Sequence, residues 1–183
     1  MKVADYMGEA LDELRDNVAK VDNENVEKFI EMIFAAKKVY VAAAGRSRLM
    51  LNAFAMRLMH LGFRVYVVGE IVTPAVEPGD LLIVGSGSGK TESLLIMAKK
   101  AKRIGAKLAV LTIFPESEIA SLADLVIQIG GRTSKVLNGV TTVQPGGNVF
   151  EQSMLILLDC MIVKIAEVGS IDITRFNRHA NLE

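Results

Sequence analysis

The chain has 183 residues, of which 51% are hydrophobic and 23% are charged, a balance that excludes a disordered or low-complexity protein. Its 21 basic residues match its 21 acidic ones, so we expect no positively charged surface for a nucleic-acid backbone. The most apolar stretch, residues 150–168, contains charged side chains and is too polar to span a membrane. The single cysteine, Cys160, fits a reducing compartment, and we expect one cytoplasmic domain over residues 1–183.

Two helices are predicted at the start of the chain, over residues 1–37. Their apolar faces consist of Leu11, Leu14 and Val18 in the first helix and of Val26, Phe29, Ile30 and Ile33 in the second. Asp22 or Asn23 is suited to cap the second helix, because their side chains accept hydrogen bonds from free helical N–H groups.

From residue 38 onward, short β-branched runs alternate with helical patterns. The runs begin at Val39, Val65, Leu81, Leu108 and Leu125, and helices are predicted near 47–61, 91–104, 117–123 and 149–167. Each run is continuously apolar, which is typical of strands that are covered on both faces. The alternation predicts a parallel sheet between two layers of helices over residues 38–168, followed by a C-terminal tail, residues 169–183.

Three polar loops follow predicted strands and lead directly into predicted helices. They lie at residues 45–48, 85–91 and 141–148. The third ends the stretch 130–148, which is long for a connection, and such loops are more often functional than incidental. Because ligands bind beyond the carboxyl ends of the strands in open α/β sheets, we expect the site where these loops meet.

The loop at residues 85–91 alternates glycine and serine and precedes a predicted helix. Free amide N–H groups, hydroxyls and the positive end of the helix attract a phosphate. The loop is not a nucleotide P-loop, since Val84 stands where that motif needs glycine, and Lys90 stands at the last glycine of the dinucleotide motif. The alternative is a turn in which Ser88 caps the helix, but three glycines and two serines exceed what a cap requires.

Arg46 and Glu151 are the charged candidates at the same edge of the sheet. Two interpretations of Arg46 are possible. It is either an ordinary surface residue, next to Ser47 as a natural N-cap, or its guanidinium binds a phosphate or an enediolate. Glu151 opens the last predicted helix, where an acid stabilises the helix dipole. Because it follows the long loop, it is also placed to abstract a proton next to a carbonyl.

The remaining reactive side chains predict no further site. His60 ends an apolar helix and is interpreted as structural, and Cys160 is expected to be a buried, inert thiol. His179 lies in a polar tail, where spacing alone indicates no function. Two distant histidines and one cysteine form no metal-ligand pattern, so no metal is expected.

Four segments together carry a resemblance to a known family. They are residues 45–47, 86–93, 145–151 and 178–182. The chain from residue 38 onward resembles the sugar isomerase (SIS) domain, and the last two segments are similar to those of the 6-phospho-3-hexuloisomerases. The chain departs from the family pattern at Arg48, where a smaller residue is common, and at Gly146, where a bulkier one is frequent.

The resemblance implies a three-layer α/β/α fold with a doubly wound, five-stranded parallel sheet in flavodoxin-like strand order. It implies interconversion of 3-hexulose 6-phosphate and fructose 6-phosphate, in the ribulose monophosphate pathway, without a metal or organic cofactor. It also implies a homo-oligomer, a tetramer or dimer with shared sites, whose partner molecule is the phosphosugar rather than a nucleic acid or a membrane.

The resemblance also assigns expected roles to single residues. The phosphate would be bound by Ser47, Ser86, Gly87, Ser88 and Thr91, and the substrate would also contact Gly45 and Gly147. Glu151 would be the base that moves a proton through an enediolate, and Arg46 would stabilise the charge of that intermediate. His179 would complete a site, its own or that of a neighbouring subunit.

Two alternatives remain open at the level of sequence. One is another SIS phosphosugar isomerase of the arabinose 5-phosphate type, although such enzymes usually carry an added regulatory domain. The other is a phosphosugar-binding module without catalysis, as in SIS-containing transcription regulators, for which the residues before position 38 are too few and not basic.

Overall fold

The computed structural model describes residues 2–133, 139, 141–172 and 179–180. Within these residues, five α-helices and five strands follow one another. They are α1 (Val3–Val18), α2 (Asn23–Ala35), β1 (Val39–Ala43), α3 (Gly45–His60), β2 (Val65–Val67), β3 (Leu81–Gly85), α4 (Glu92–Ile104), β4 (Lys107–Thr112), β5 (Leu125–Gln128) and α5 (Asn148–Val168).

The five strands form one parallel sheet in the order β2-β1-β3-β4-β5. This is the doubly wound, flavodoxin-like order that we expected. After β1 the chain turns to one side to build β2, and after β3 it turns to the other side to build β4. The loops that leave β1 and β3 therefore diverge at the carboxyl edge, which opens a crevice between them.

Helices cover both faces of the sheet, as the apolar strands predict. On one face α2, α3 and α5 bury a core that includes Phe29, Phe54 and Met154. On the other face α4 packs over a second core that includes Tyr40 and Leu108. The central strands β1, β3 and β4 are buried, but the edge strand β2 is only half-buried, so full coverage was the wrong expectation there.

The local signals locate most element boundaries within two residues. Asp22 is the N-cap of α2, and its Oδ1 accepts a hydrogen bond of 2.9 Å from the backbone N–H of Glu24. The helix predicted at 117–123 is only a single 3-10 turn, Ala120–Leu122. Leu11 is exposed on α1, although its spacing placed it with the buried Leu14.

None of the helices in the part of the chain that the structure describes has both the length and the hydrophobicity needed to cross a bilayer.

Candidate active site

A cavity of about 290 Å³ opens at the carboxyl edge of the sheet, between the loops that leave β1 and β3. Its lining comes from the start of α3, the glycine–serine loop after β3, the chain after β5 and the start of α5. The lining residues are Ala44, Gly45, Arg46, Ser47, Gly85, Ser86, Gly87, Ser88, Thr91, Leu94, Arg132, Thr133, Gly147, Phe150 and Glu151. The fold thus brings every site residue proposed from the sequence except His179 into one cavity.

Three helices point their N-termini at this cavity. Helix α3 begins at Gly45, and the N-cap residues Thr91 of α4 and Gly147 of α5 also line the cavity. None of these three helices has a side-chain cap hydrogen bond at its N-cap residue. The first N–H groups and the positive dipole ends are therefore available to an anion. Ser47 is not the cap we expected, because α3 begins two residues before it.

The glycine–serine loop is held on β4 by backbone hydrogen bonds. The N–H of Ser86 donates to the carbonyl of Leu111 at 3.0 Å, and the N–H of Ile113 donates to the carbonyl of Gly87 at 3.2 Å. The hydroxyls of Ser86 and Thr91 lie 3.4 Å apart at the mouth of the loop. Ser86 and Ser88 are buried, so the loop presents a preformed set of hydroxyl and amide donors.

Gly89 is required by the shape of this loop. Its φ of +60° lies in the left-handed region, which residues other than glycine rarely adopt. A Cβ atom at this position would also overlap the hydroxyl of Ser117, a buried residue of the chain after β4. The tight packing of the two loops explains the glycine.

Glu151 projects into the cavity from the first turn of α5 and pairs with Arg46. The Nε atom of Arg46 lies 2.9 Å from Oε2 of Glu151, and the carboxylate side chain is 13% exposed. Burial raises the pKa of Glu151 above the usual value of a carboxyl, while the positive charge of Arg46 opposes that rise. The site thus holds an ion-paired carboxylate of raised pKa beside the glycine–serine loop.

Several lining residues were not identified from the sequence. Arg132 and Thr133 line the cavity from the chain after β5, and Phe150 packs beneath Gly87. Arg132 follows the fifth strand, so the rule that sites lie beyond strand ends was a signal that pointed to it. Phe150 carries no such signal, because an apolar residue in an apolar helix resembles any core residue.

His179 lies outside the cavity of its own chain. Its ring stacks on that of His60 with 5.3 Å between centroids, and His60 ends the helix that begins at the cavity. Since a helix rises 1.5 Å per residue, α3 separates the two places by about 22 Å. Arg178, Asn181 and Leu182 of the segment 178–182 lie outside the described residues.

Three other expectations concern residues around the site. Cys160 is exposed on α5, so the expectation of a buried thiol was wrong. Arg48 and Gly146, where the chain departs from the family pattern, are not among the described residues that line the cavity. Within the described ranges, no group of three or more histidine, cysteine or acidic side chains is placed to hold a metal ion.

Comparisons with known proteins identify the family. The SIS domain model matches residues 32–145. The chain is 45% identical to the 3-hexulose-6-phosphate isomerase of Bacillus subtilis, over 100% of both chains. A hypothetical protein with a crystal structure is 34% identical, with a TM-score of 0.89 over 98% of this chain and 96% of that one. Another hypothetical protein, from Methanococcus jannaschii, is 38% identical, with a TM-score of 0.82 over 94% of this chain and 98% of that one. For that protein, a 3-hexulose-6-phosphate isomerase function was inferred from its crystal structure. The chain belongs to the SIS domain family.

Proposed function

We propose that this protein is a 3-hexulose-6-phosphate isomerase, which interconverts 3-hexulose 6-phosphate and fructose 6-phosphate. The observation that carries the proposal is the position of Glu151, a largely buried carboxylate in the same cavity as the glycine–serine loop. A protein that only binds a phosphosugar needs the loop but has no need of a carboxylate of raised pKa beside it. The full-length likeness to the B. subtilis isomerase supports the same activity.

The phosphate of the substrate is bound by Ser47, Ser86, Gly87, Ser88 and Thr91. These residues offer hydroxyl and amide donors at the start of α3 and in the loop that leads to the start of α4. Donors fixed by the fold bind a dianion without having to reorganise, and the dipoles add favourable charge. Since the phosphate is remote from the reacting carbons, its binding energy is used to orient them.

Glu151 acts as the base. It removes the proton from C3 of fructose 6-phosphate; the C–H electron pair forms a C2=C3 double bond, and the carbonyl electrons move onto the oxygen at C2. The hydroxyl proton at C3 then passes to the oxygen at C2. The oxygen at C3 forms the new carbonyl as the C2=C3 electron pair takes the proton from Glu151 at C2. One carboxylate performs both transfers on one face of the enediolate, a contribution of roughly 10²–10⁴-fold in rate.

Arg46 and the two glycines adapt the cavity to this step. The Nε atom of Arg46 is paired with Oε2 of Glu151. We propose that the positive charge of Arg46 also stabilises the negative charge that develops on the enediolate oxygens. A Cβ atom at Gly147 would stand 3.4 Å from Oε1 of Glu151. Glycine at this position therefore keeps the space beside the second carboxylate oxygen open to the sugar. Gly45 lines the cavity at the start of α3, where we expect the substrate to contact it.

We place His179 in the cavity of a neighbouring subunit of a homo-oligomer, a dimer or tetramer. Its position against His60 argues against service to its own cavity. Val3, Met7 and Leu11 form an exposed apolar stripe on α1, and Leu49 and Met56 are exposed on α3. Apolar surface of this kind is typical of contacts between chains. In that assembly His179 would move protons between the hydroxyls of the sugar or assist its ring opening.

The chemistry also suggests where the enzyme works. Phosphate esters are charged and do not cross membranes unaided, so we propose a cytoplasmic location. We further propose a place in the ribulose monophosphate pathway, in which the same proton transfer serves formaldehyde fixation in one direction and pentose supply in the other.

Hydrogen exchange tests the proposal directly. Fructose 6-phosphate incubated with the enzyme in deuterated water should gain deuterium at C3 and form the 3-ketose. Exchange with arabinose 5-phosphate, and none with fructose 6-phosphate, would indicate the aldose-type isomerase. Stabilisation of the protein by fructose 6-phosphate without any exchange would indicate a binding module.

A further inference from the structure

Glu13, on the face of α1 toward the long loop, holds three consecutive residues of the chain that precedes α5. Its Oε2 accepts hydrogen bonds from the hydroxyl of Thr142 at 2.7 Å and from Nε2 of Gln144 at 3.1 Å. Its Oε1 accepts a hydrogen bond from the N–H of Val143 at 2.9 Å. Burial opposes the charge of Glu13, but these three bonds outweigh it and hold the pKa of this carboxyl below its usual value. Glu13 is thus an ionised carboxylate that binds the loop through three hydrogen bonds.

Asn17, one turn further along α1, holds the other end of the same stretch. Its Nδ2 donates to the carbonyl of Gly130 at 3.1 Å, where the chain leaves β5, and to the hydroxyl of Ser153 on α5 at 2.8 Å. A Cβ atom at Gly130 would overlap Oδ1 of Asn17, so the two segments are in close contact. One face of α1 therefore joins the two ends of the long loop and the first turns of α5.

A short connected path links the residues that Glu13 holds to the carboxylate in the cavity. Gln144 is followed by Pro145, whose carbonyl accepts the N–H of Asn148 at 3.2 Å. The carbonyl of Gly147 in turn accepts the N–H of Glu151 at 3.0 Å. Because each bond fixes the next turn of backbone, the position of residues 142–144 determines where α5 begins and how its first turn is rotated.

We propose that Glu13 is a positioning residue for the isomerase reaction, which fixes the carboxylate of Glu151 in the cavity through the 142–147 segment. The inference rests on the proposed role of Glu151 as the base. Glu13 itself is not among the described residues that line the cavity. Its effect is expected in turnover rather than in binding, because the phosphate is held by the starts of α3 and α4 and by the loop after β3.

The test compares Glu13→Gln with Glu9→Gln. Glu9 is exposed on the same helix one turn earlier, so both variants remove one negative charge from α1. The amide of Glu13→Gln cannot accept all three hydrogen bonds. We expect kcat to fall about tenfold, because a small displacement of a catalytic group costs this much, with KM changed less than about twofold. Glu9→Gln should behave as the wild type, and equal kcat values in the two variants would overturn the proposal.

Two further measurements separate positioning from loss of stability. Thr142→Val removes the hydroxyl that donates to Glu13 and should also lower kcat. The double variant Thr142→Val/Glu13→Gln should show no larger fall in kcat than Glu13→Gln alone. The residual activity of Glu151→Gln should be unchanged by adding Glu13→Gln, because the group that Glu13 positions is then absent. Additive losses in either pair would indicate a merely structural role.

A readout without turnover keeps this inference distinct from the proposed function. The pKa of Glu151, followed by carbon NMR of its carboxyl and assigned with Glu151→Gln, should differ between the wild type and Glu13→Gln but not between the wild type and Glu9→Gln. A wild-type protein without isomerase activity would refute the proposed function, and the titration would still decide whether Glu13 positions Glu151. An unchanged titration would overturn the inference.

Discussion

The Nε atom of Arg46 lies 2.9 Å from Oε2 of Glu151, so the base proposed for this enzyme is ion-paired with a cation at the mouth of its own cavity. The pair joins the first turn of α3 to the first turn of α5. Burial and the ion pair act on the carboxylate in opposite directions, burial making it more basic and Arg46 keeping it ionised and oriented.

Replacing Glu151 by glutamine should abolish turnover while the phosphosugar still binds. The amide fills the same space but cannot accept a proton from carbon, so we expect kcat to fall by at least about a hundredfold. Binding is measured as the rise in melting temperature with fructose 6-phosphate. Glu167→Gln, an exposed position at the far end of α5, is the control. Near-normal turnover in Glu151→Gln would remove this residue from the role of base.

The pH profile should report the raised pKa of Glu151. The base works ionised, so kcat should fall as the pH drops through a value above the usual range of a carboxyl. Because Arg46 favours the ionised form, Arg46→Met should move this acid limb to higher pH. Arg48→Met removes the same charge from the same helix outside the cavity and should leave the limb in place. A limb at the usual pKa of glutamate, unmoved by Arg46→Met, would contradict the assignment.

Gly89→Ala should destabilise the protein and weaken phosphosugar binding. The positive φ costs about 1–3 kcal/mol for a residue with a side chain. The overlap with Ser117 adds to that cost. Gly146→Ala is the matched control, since its φ is +58° and nothing lies within 4 Å of its Cβ position. Thermal unfolding of the two variants separates backbone strain from overlap, and equal losses would show that Ser117 does not constrain the loop.

Arg132→Ala should raise KM for the phosphosugar. Arg132 lines the cavity, and Arg46 is already paired with Glu151, so Arg132 is a cation available to an anionic substrate. We expect KM to rise about tenfold, the usual scale for loss of a charge-assisted contact, and kcat to change less. Arg103→Ala, at the far end of α4, should have no effect. An unchanged KM would show that Arg132 does not contact the substrate.

Mixed oligomers test the position proposed for His179. Subunits with Glu151→Gln and subunits with His179→Ala should each be inactive alone. If His179 serves a neighbouring cavity, mixing them builds some cavities with both intact groups. In a dimer with reciprocal sites, statistical mixing restores about a quarter of the wild-type activity. Absence of any recovery in verified mixed oligomers would place His179 outside the shared site.

Local sequence signals determined much of this architecture. The apolar runs beginning at Val39 and Leu81 predicted buried parallel strands, and the polar loops behind them predicted where the cavity would open. These predictions succeed because strand patterning, helix capping at Asp22 and the turn chemistry of glycine depend on residues a few positions apart. The exposure of β2 did not follow from its apolar run, since whether a strand lies at an edge depends on strand order.

Residue types and their order along the chain were enough to predict the kind of groups at the site, namely hydroxyls, glycines, one arginine and one acid behind parallel strands. How these groups pair could not be predicted in this way. Three features depend on how separate helices pack on the sheet. They are the contact between Arg46 and Glu151, the hydrogen bonds of Glu13 to residues about 130 positions away, and the distance of His179 from its own cavity. Local patterns contain no such information, because these contacts join segments that are remote in the chain and that meet only once the core has formed.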